Sequence, residues 1–201
     1  MTDADPARVA IRRLARLGEG DIRALAALTV DVVEGGASIG FMLPIDAERA
    51  EAFWRRVGAG VNGGERVLFV ADDGDGVVGT VQLIVEQPEN QPHRADVAKM
   101  MVAARARRRG IGAALMQAAE QEALARGKAL LVLDTASAEA ERLYARLGWQ
   151  RCGTIPGFAL LPQGGQCDTT YFYRVLETGQ VAVRAGTNSP TSADGVDAST
   201  G

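Results

Sequence analysis

Four arginines fall within five positions, at Arg105, Arg107, Arg108 and Arg109, and Gly110-Ile111-Gly112 follows at once. A short apolar run, Val97-Ala98-Lys99-Met100-Met101-Val102, precedes them, and Ile111, Ala114, Leu115 and Ala118 follow at helical spacing. The order is strand, basic glycine turn, helix. The first turn of a helix carries backbone N–H groups without internal partners, and the helix dipole adds partial positive charge there. Glycines let an anion approach the backbone, and arginines surround it with charge, so Arg107 through Ala113 form a candidate pyrophosphate site. The same letters would also serve as a basic helix cap whose glycines only tighten a turn. No G-x-x-x-x-G-K-[ST] occurs, which argues against a triphosphatase loop. G-x-G-x-x-G occurs at Gly58–Gly63 and Gly74–Gly79, but the first follows a helical segment and the second joins two strand-like runs, so neither leads from a strand into a helix and a dinucleotide fold has little support.

A second group of residues could move protons. Tyr144 lies on a segment with Leu143 and Leu147 at helical spacing, and a phenol there can donate a proton or simply fill a core. Asp134 ends the apolar run Ala129–Asp134, where ligands gather at the carboxyl ends of strands; it could equally cap a turn. Glu86 and His93 flank a polar connection and are weaker candidates for contact with a substrate; a lone histidine in a polar loop is ordinarily just solvated. Cys152 and Cys167 have no metal spacing, and with one histidine in the chain they cannot build a zinc site of the usual kind, so no metal is expected.

Arg107-x-x-Gly110-x-Gly112 after a buried strand resembles the acetyl-CoA-binding motif of the GNAT superfamily of N-acyltransferases, and Ala140-x-x-x-Tyr144-x-x-x-Gly148-Trp149 resembles its tyrosine helix. The resemblance covers about Val9–Leu176. From His93 onward, through Leu131–Thr135 and Pro156-Gly157, it is most similar to the tabtoxin-resistance group, which acetylates a small amino-acid-like toxin. The resemblance implies acetyl-CoA as cosubstrate. It implies that Met100, Met101 and Val102 pair with the pantetheine arm, that the amides of Arg107, Arg108, Arg109, Gly110, Ile111, Gly112 and Ala113 hold the pyrophosphate, and that Tyr144 sits near the sulfur. Many relatives carry a glutamate base on the buried strand. Ala98, Lys99 and Met100 stand there instead; Asp134, at the end of the next buried strand, is the better candidate base, with Glu86 and His93 as outside alternatives. No cysteine lies in a motif suited to a covalent acetyl intermediate, which favours direct attack by the amine in a ternary complex. The expected acceptor is a primary amine of a small molecule. A protein or peptide acceptor, or a non-catalytic acyl-CoA sensor, are the alternatives.

These residues need a scaffold. The 201 residues, 47% of them apolar, suffice for one domain with a sizeable core. Strands are expected at Arg8–Leu14, Arg66–Ala71, Val77–Glu86, Arg94–Val102, Ala129–Asp134, Trp149–Ile155 and Thr169–Leu176. Helices are expected after the caps Asp21, Asp46 and Ser137, and over Gly110–Arg126. The two buried strands joined by a helix should be parallel. With the resemblance, this implies an α/β (α+β) fold: a mixed, mostly antiparallel sheet of 6–7 strands with a splayed parallel pair and about four helices. Residues 1–7 are expected to be loose, 8–177 to form the domain, and 178–201, poor in large apolar residues, to be a disordered tail. A net charge of −3 argues against nucleic acid as partner, and no apolar run reaches membrane-spanning length. The expected compartment is the cytoplasm, and the expected state a monomer or homodimer.

Overall fold

The computed structural model describes residues 9–177; the expected loose start and disordered tail lie outside the described residues. Seven strands form one sheet: β1 (Ala10–Leu14), β2 (Arg66–Asp72), β3 (Val77–Ile84), β4 (Arg94–Val102), β5 (Leu130–Thr135), β6 (Gln150–Leu160) and β7 (Gln166–Val175). Their spatial order is β1-β2-β3-β4-β5-β7-β6. Every neighbouring pair is antiparallel except β4 and β5, which run parallel. Four helices complete the fold: α1 (Glu19–Glu34), α2 (Ala47–Asn62), α3 (Ile111–Ala125) and α4 (Ala138–Arg146).

The helices follow from their apolar spacing and their caps. In α1, Ile22, Leu25, Leu28 and Val32 are buried. This helix starts three residues earlier than a cap at Asp21 would set it. Gly18 is the cap, and the Asp21 carboxylate reaches back from the first turn to accept from the Gly18 N–H at 3.1 Å. Asp46 does cap α2, accepting from the Arg49 N–H at 2.8 Å. The two helices lock through fully buried Trp54, whose indole N–H donates to Thr29 Oγ1 at 2.8 Å. Thr29 thus supplies the polar partner that a buried indole requires.

The decisive irregularity lies between β4 and β5. They pair only from Arg94↔Leu130 to Asp96↔Val132, and then diverge. On the other side of β4 the register against β3 slips between Gln82↔Ala98 and Thr80↔Met101, so Lys99 and Met100 oppose Val81 alone. That is a β-bulge, and Lys99 takes φ 51° within it. The bulge bends β4 away while β5 continues against β7 through Asp134↔Tyr171. Val97–Val102 is therefore not buried on both faces as its apolar run suggests: Lys99, Met100 and Val102 are half-buried and face the gap.

At the far edge, β6 runs through Pro156-Gly157, where a loop was the expectation. The register slips between Ile155 and Ala159, and a proline is tolerated on an edge strand at such a bulge. Only the turn after Leu160, up to Gln166, links β6 to β7.

Candidate active site

The gap between β4 and β5 opens a cleft of about 1110 Å³. At one end lies the arginine–glycine loop. A 3-10 turn, Ala104–Ala106, leads into it, and Arg108 (φ 61°) and Gly110 (φ 79°) both take the left-handed conformation. Left-handed residues next to helical ones form the concave nests of N–H groups that bind anions. The first α3 amide with a helical acceptor is that of Ala114, which donates to the Gly110 carbonyl at 3.1 Å. The preceding amides belong to Ile111, Gly112 and Ala113, and all three residues line the cleft together with Arg107, Arg108 and Gly110.

The two glycines do different work. Gly110 supplies a backbone conformation that side-chain-bearing residues rarely adopt. At Gly112 a Cβ would stand 2.9 Å from Leu143 Cδ2, so this glycine lets α4 close on the first turn of α3. That contact carries Tyr144, the one fully buried residue of α4, into the cleft wall. The Tyr144 ring packs against Trp149 and Phe172, with centroids 6.0 and 5.8 Å away. Trp149 is itself fixed by its indole N–H, which donates to Glu120 Oε1 at 2.8 Å. Burial, and secondarily the charge of Asp134, raise the phenol above its ordinary pKa, so Tyr144 stays protonated and can donate.

Asp134, at the end of β5, is exposed on the cleft lip and accepts from Thr169 Oγ1 at 2.7 Å. Met100, Met101 and Val102 line the opposite side, on the length of β4 that β5 leaves unpaired. An unpaired strand edge is a receptor for an extended, amide-bearing ligand. The described residues thus fit acetyl-CoA, with a nest for the diphosphate, an open edge for the pantetheine and a protonated phenol for the sulfur.

Three candidates stand elsewhere. Arg109 does not line the cleft; its guanidinium is 3.7 Å from the Asp73 carboxylate. Glu86 and His93 are exposed near the start of β4, at the end remote from the splay, and neither lines the cleft. Conversely, sequence reasoning missed Asp73, Gly79 and the cleft-facing role of Lys99. The three aspartates of 72–75 read as turn chemistry, and nothing local signals a partner thirty residues on. Among the described residues no cluster of three or more metal-ligating side chains occurs, and no helix is long and apolar enough to cross a membrane.

A splayed parallel pair with an anion nest at its mouth and a buried phenol in its wall defines a site for transferring an acyl group from a nucleotide thioester. The family model for the acetyltransferase (GNAT) domain matches residues 64–151, from the start of β2 into β6. An uncharacterized N-acetyltransferase of Azospirillum brasilense, from its hisH-hisA intergenic region, is 33% identical over 128 residues, covering 63% of this chain and 74% of that protein. Among solved structures, a ribosomal-protein-alanine N-acetyltransferase from Brucella melitensis superposes with a TM-score of 0.68 at 26% identity, covering 83% of this chain and 99% of that one. A Salmonella typhimurium structure described as an acetyltransferase with its cofactor acetyl-CoA shares the fold, with a TM-score of 0.69 at 19% identity over 85% of this chain and 95% of that one. The chain belongs to the GNAT family and is an acetyl-CoA-dependent N-acetyltransferase.

Proposed function

We propose that the protein acetylates the primary amine of a small molecule, of the amino-acid-like or toxin kind, by direct attack within a ternary complex. The carrying observation is that Tyr144 of α4 and Asp134 of β5 line one cleft with the arginine–glycine loop. Asp134 takes a proton from the incoming ammonium, directly or through water. The freed nitrogen lone pair attacks the thioester carbonyl carbon, forming C–N as C–S breaks. Backbone amides on the open β4 edge are available to the developing oxyanion. The departing sulfur takes the Tyr144 proton, and the acylated nitrogen gives up its second proton, which restores the phenol and leaves a neutral amide.

A small acceptor is supported by the way the cleft is bridged. Ser38 Oγ donates to the Leu160 carbonyl at 3.0 Å, and the Leu43 N–H donates to the Pro162 carbonyl at 2.9 Å. The α1–α2 connection and the β6–β7 hairpin are thereby tied together beside the acceptor end, where an extended peptide would need an open groove. A peptide acceptor is the second reading, favoured by the name of the Brucella melitensis neighbour. We place the enzyme in the cytoplasm, as monomer or homodimer.

The test is thiol release from acetyl-CoA with purified protein against amino acids, amine toxins and peptides with free N-termini. Turnover of small amines supports the proposal. Turnover of peptides alone moves the assignment to the second reading, and coenzyme A binding with no turnover on any acceptor makes the protein a sensor.

A further inference from the structure

Lys99 occupies the bulge of β4 with φ 51°, a conformation that costs a non-glycine residue energy. Strain of this kind persists where the surroundings enforce it, and here it aims the side chain into the cleft. The ammonium lies 5.8 Å from the centroid of the Phe53 ring, and a Cβ built on Gly40 would be 3.7 Å from Nζ. Phe53 meets Phe41 edge-on at 5.3 Å, so the wall behind the lysine is aromatic. Among the described residues Lys99 has no hydrogen-bond acceptor and no ion pair; the Phe53 ring is its polar contact. An ammonium carries three donors, and withdrawing it from water without an acceptor is unfavourable. Burial lowers its pKa, while the Asp134 charge works in the opposite direction. A half-buried, unpaired cation facing a cavity is arranged for an anion that arrives with the ligand.

Asp134 stands on the other lip of the splay, so the acceptor end presents one cation and one anion. We propose that Lys99 anchors a carboxylate on the acceptor, whose amine lies toward Asp134, making the preferred substrate an amino acid rather than a simple amine. This rests on the small-molecule acetyltransferase reading above. The Lys99 charge suits the carboxylate end of a zwitterion whose ammonium faces Asp134. Ile39, Phe158 and Leu161 line the same cleft and favour an apolar side chain.

The experiment uses two matched triples: phenylalanine, phenylalaninamide and phenethylamine; and methionine, methioninamide and 3-(methylthio)propylamine. Wild type, Lys99→Met and Lys99→Arg are each assayed by thiol release from acetyl-CoA. Wild type is expected to prefer the acids. In Lys99→Met the ratio of kcat/KM for acid over amide falls about 10- to 100-fold, the range of a hydrogen bond to a charged group, chiefly through KM for the acid. Lys99→Arg restores most of the ratio. Equal use of acids and amides by wild type overturns the anchor and leaves the acetyltransferase assignment standing. A fall in kcat on all three members of a triple in Lys99→Met also overturns it, since that marks a proton-transfer role. Turnover of none of the six compounds, with other small amines also inert, overturns the underlying reading and the anchor with it.

Discussion

Asp73 and Arg105 lie 32 positions apart in the chain, yet Asp73 Oδ2 and Arg105 Nη1 meet at 2.5 Å. Asp73 belongs to the β2–β3 turn and is almost wholly buried; Arg109 stands 3.7 Å from the same oxygen, and the Asp75 N–H donates to Oδ1 at 3.3 Å. Two of the four loop arginines thus share the Asp73 carboxylate of the hairpin turn, and Arg107 and Arg108 line the cleft. Arg107 Nε also donates to the Val102 carbonyl at 3.4 Å, joining loop to strand. The arginine cluster is therefore two kinds of residue: braces on the hairpin turn and residues that line the cleft.

Asp73→Asn is expected to loosen the loop. KM for acetyl-CoA should rise about 3- to 10-fold, on the order of one charged hydrogen bond, with kcat at saturation little altered. Initial rates at varied acetyl-CoA and saturating acceptor measure this. An unchanged KM would show that the loop holds its shape without the brace.

The same brace has a pH signature. The hydrogen bond from Arg105 lowers the Asp73 pKa first, burial raises it, and the charges of Arg105 and Arg109 lower it further, with a net shift downward. A depressed carboxylate contributes stability that is complete above its unfolded value of about 3.9 and is lost as pH falls through the lower folded value. Coenzyme A affinity by titration calorimetry should carry no Asp73 contribution to its pH dependence between pH 5 and 8, and wild type should lose its advantage over Asp73→Asn only below about pH 4.

Tyr144→Phe separates a proton donor from a core aromatic. Phenylalanine keeps the contacts to Trp149 and Phe172, and the removed hydroxyl has no hydrogen-bond partner among the described residues, so the thermal midpoint should move little. The rate constant kcat should fall about 10²- to 10⁴-fold, the usual worth of a positioned acid. Because the phenol pKa is raised, wild-type activity should also show no loss from tyrosine ionisation up to pH 10. A kcat within threefold of wild type would make Tyr144 a packing residue.

Much of the cleft lining was legible because its signals are local. Arg107-x-x-Gly110-x-Gly112 and the Ala140–Trp149 helix carry their chemistry within single turns, and β-α-β connectivity forces β4 and β5 parallel. What was not legible depends on distant chain or on a ligand. An apolar run such as Val97–Val102 reads the same whether protein or cofactor covers it, so the splay and the exposure of Lys99 were hidden. Pro156-Gly157 reads as a loop because local turn chemistry says so; the β7 edge keeps it in a strand. The Asp73 brace joins two segments whose separate meanings, turn and basic loop, were already sufficient by themselves.

Gly79→Ala tests how tightly α3 must sit. A Cβ there would lie 3.1 Å from Leu115 Cδ1, 3.1 Å from the Met101 carbonyl oxygen and 3.2 Å from Ile111 Cγ2. The carbonyl belongs to β4 and cannot swing aside, so the first turns of α3 must lift. Overpacking of this kind costs about 1–3 kcal/mol, and for a chain of this size each 1 kcal/mol lowers the midpoint by about 2–4 °C. KM for acetyl-CoA should rise with it, since Ile111 opens the nest. Loss of stability with unchanged KM would mean that the sheet, not the helix, yields.

Lys99→Met should raise stability at neutral pH. Burial disfavours the charged lysine, so its folded pKa lies below the unfolded value of about 10.4. The folded state then binds fewer protons than the unfolded state between those two values, and wild-type stability climbs with pH across that window. Methionine has no such penalty and fills similar volume. The lost contact with the Phe53 ring, worth about 0.5–1 kcal/mol at a partly exposed site, works against the gain. Thermal midpoints measured from pH 7 to pH 10.5 should show the variant above wild type at the start, with the gap closing as pH rises. A variant that is less stable at pH 7, with a gap that does not narrow, would mean that the ammonium already has its partner in the folded chain.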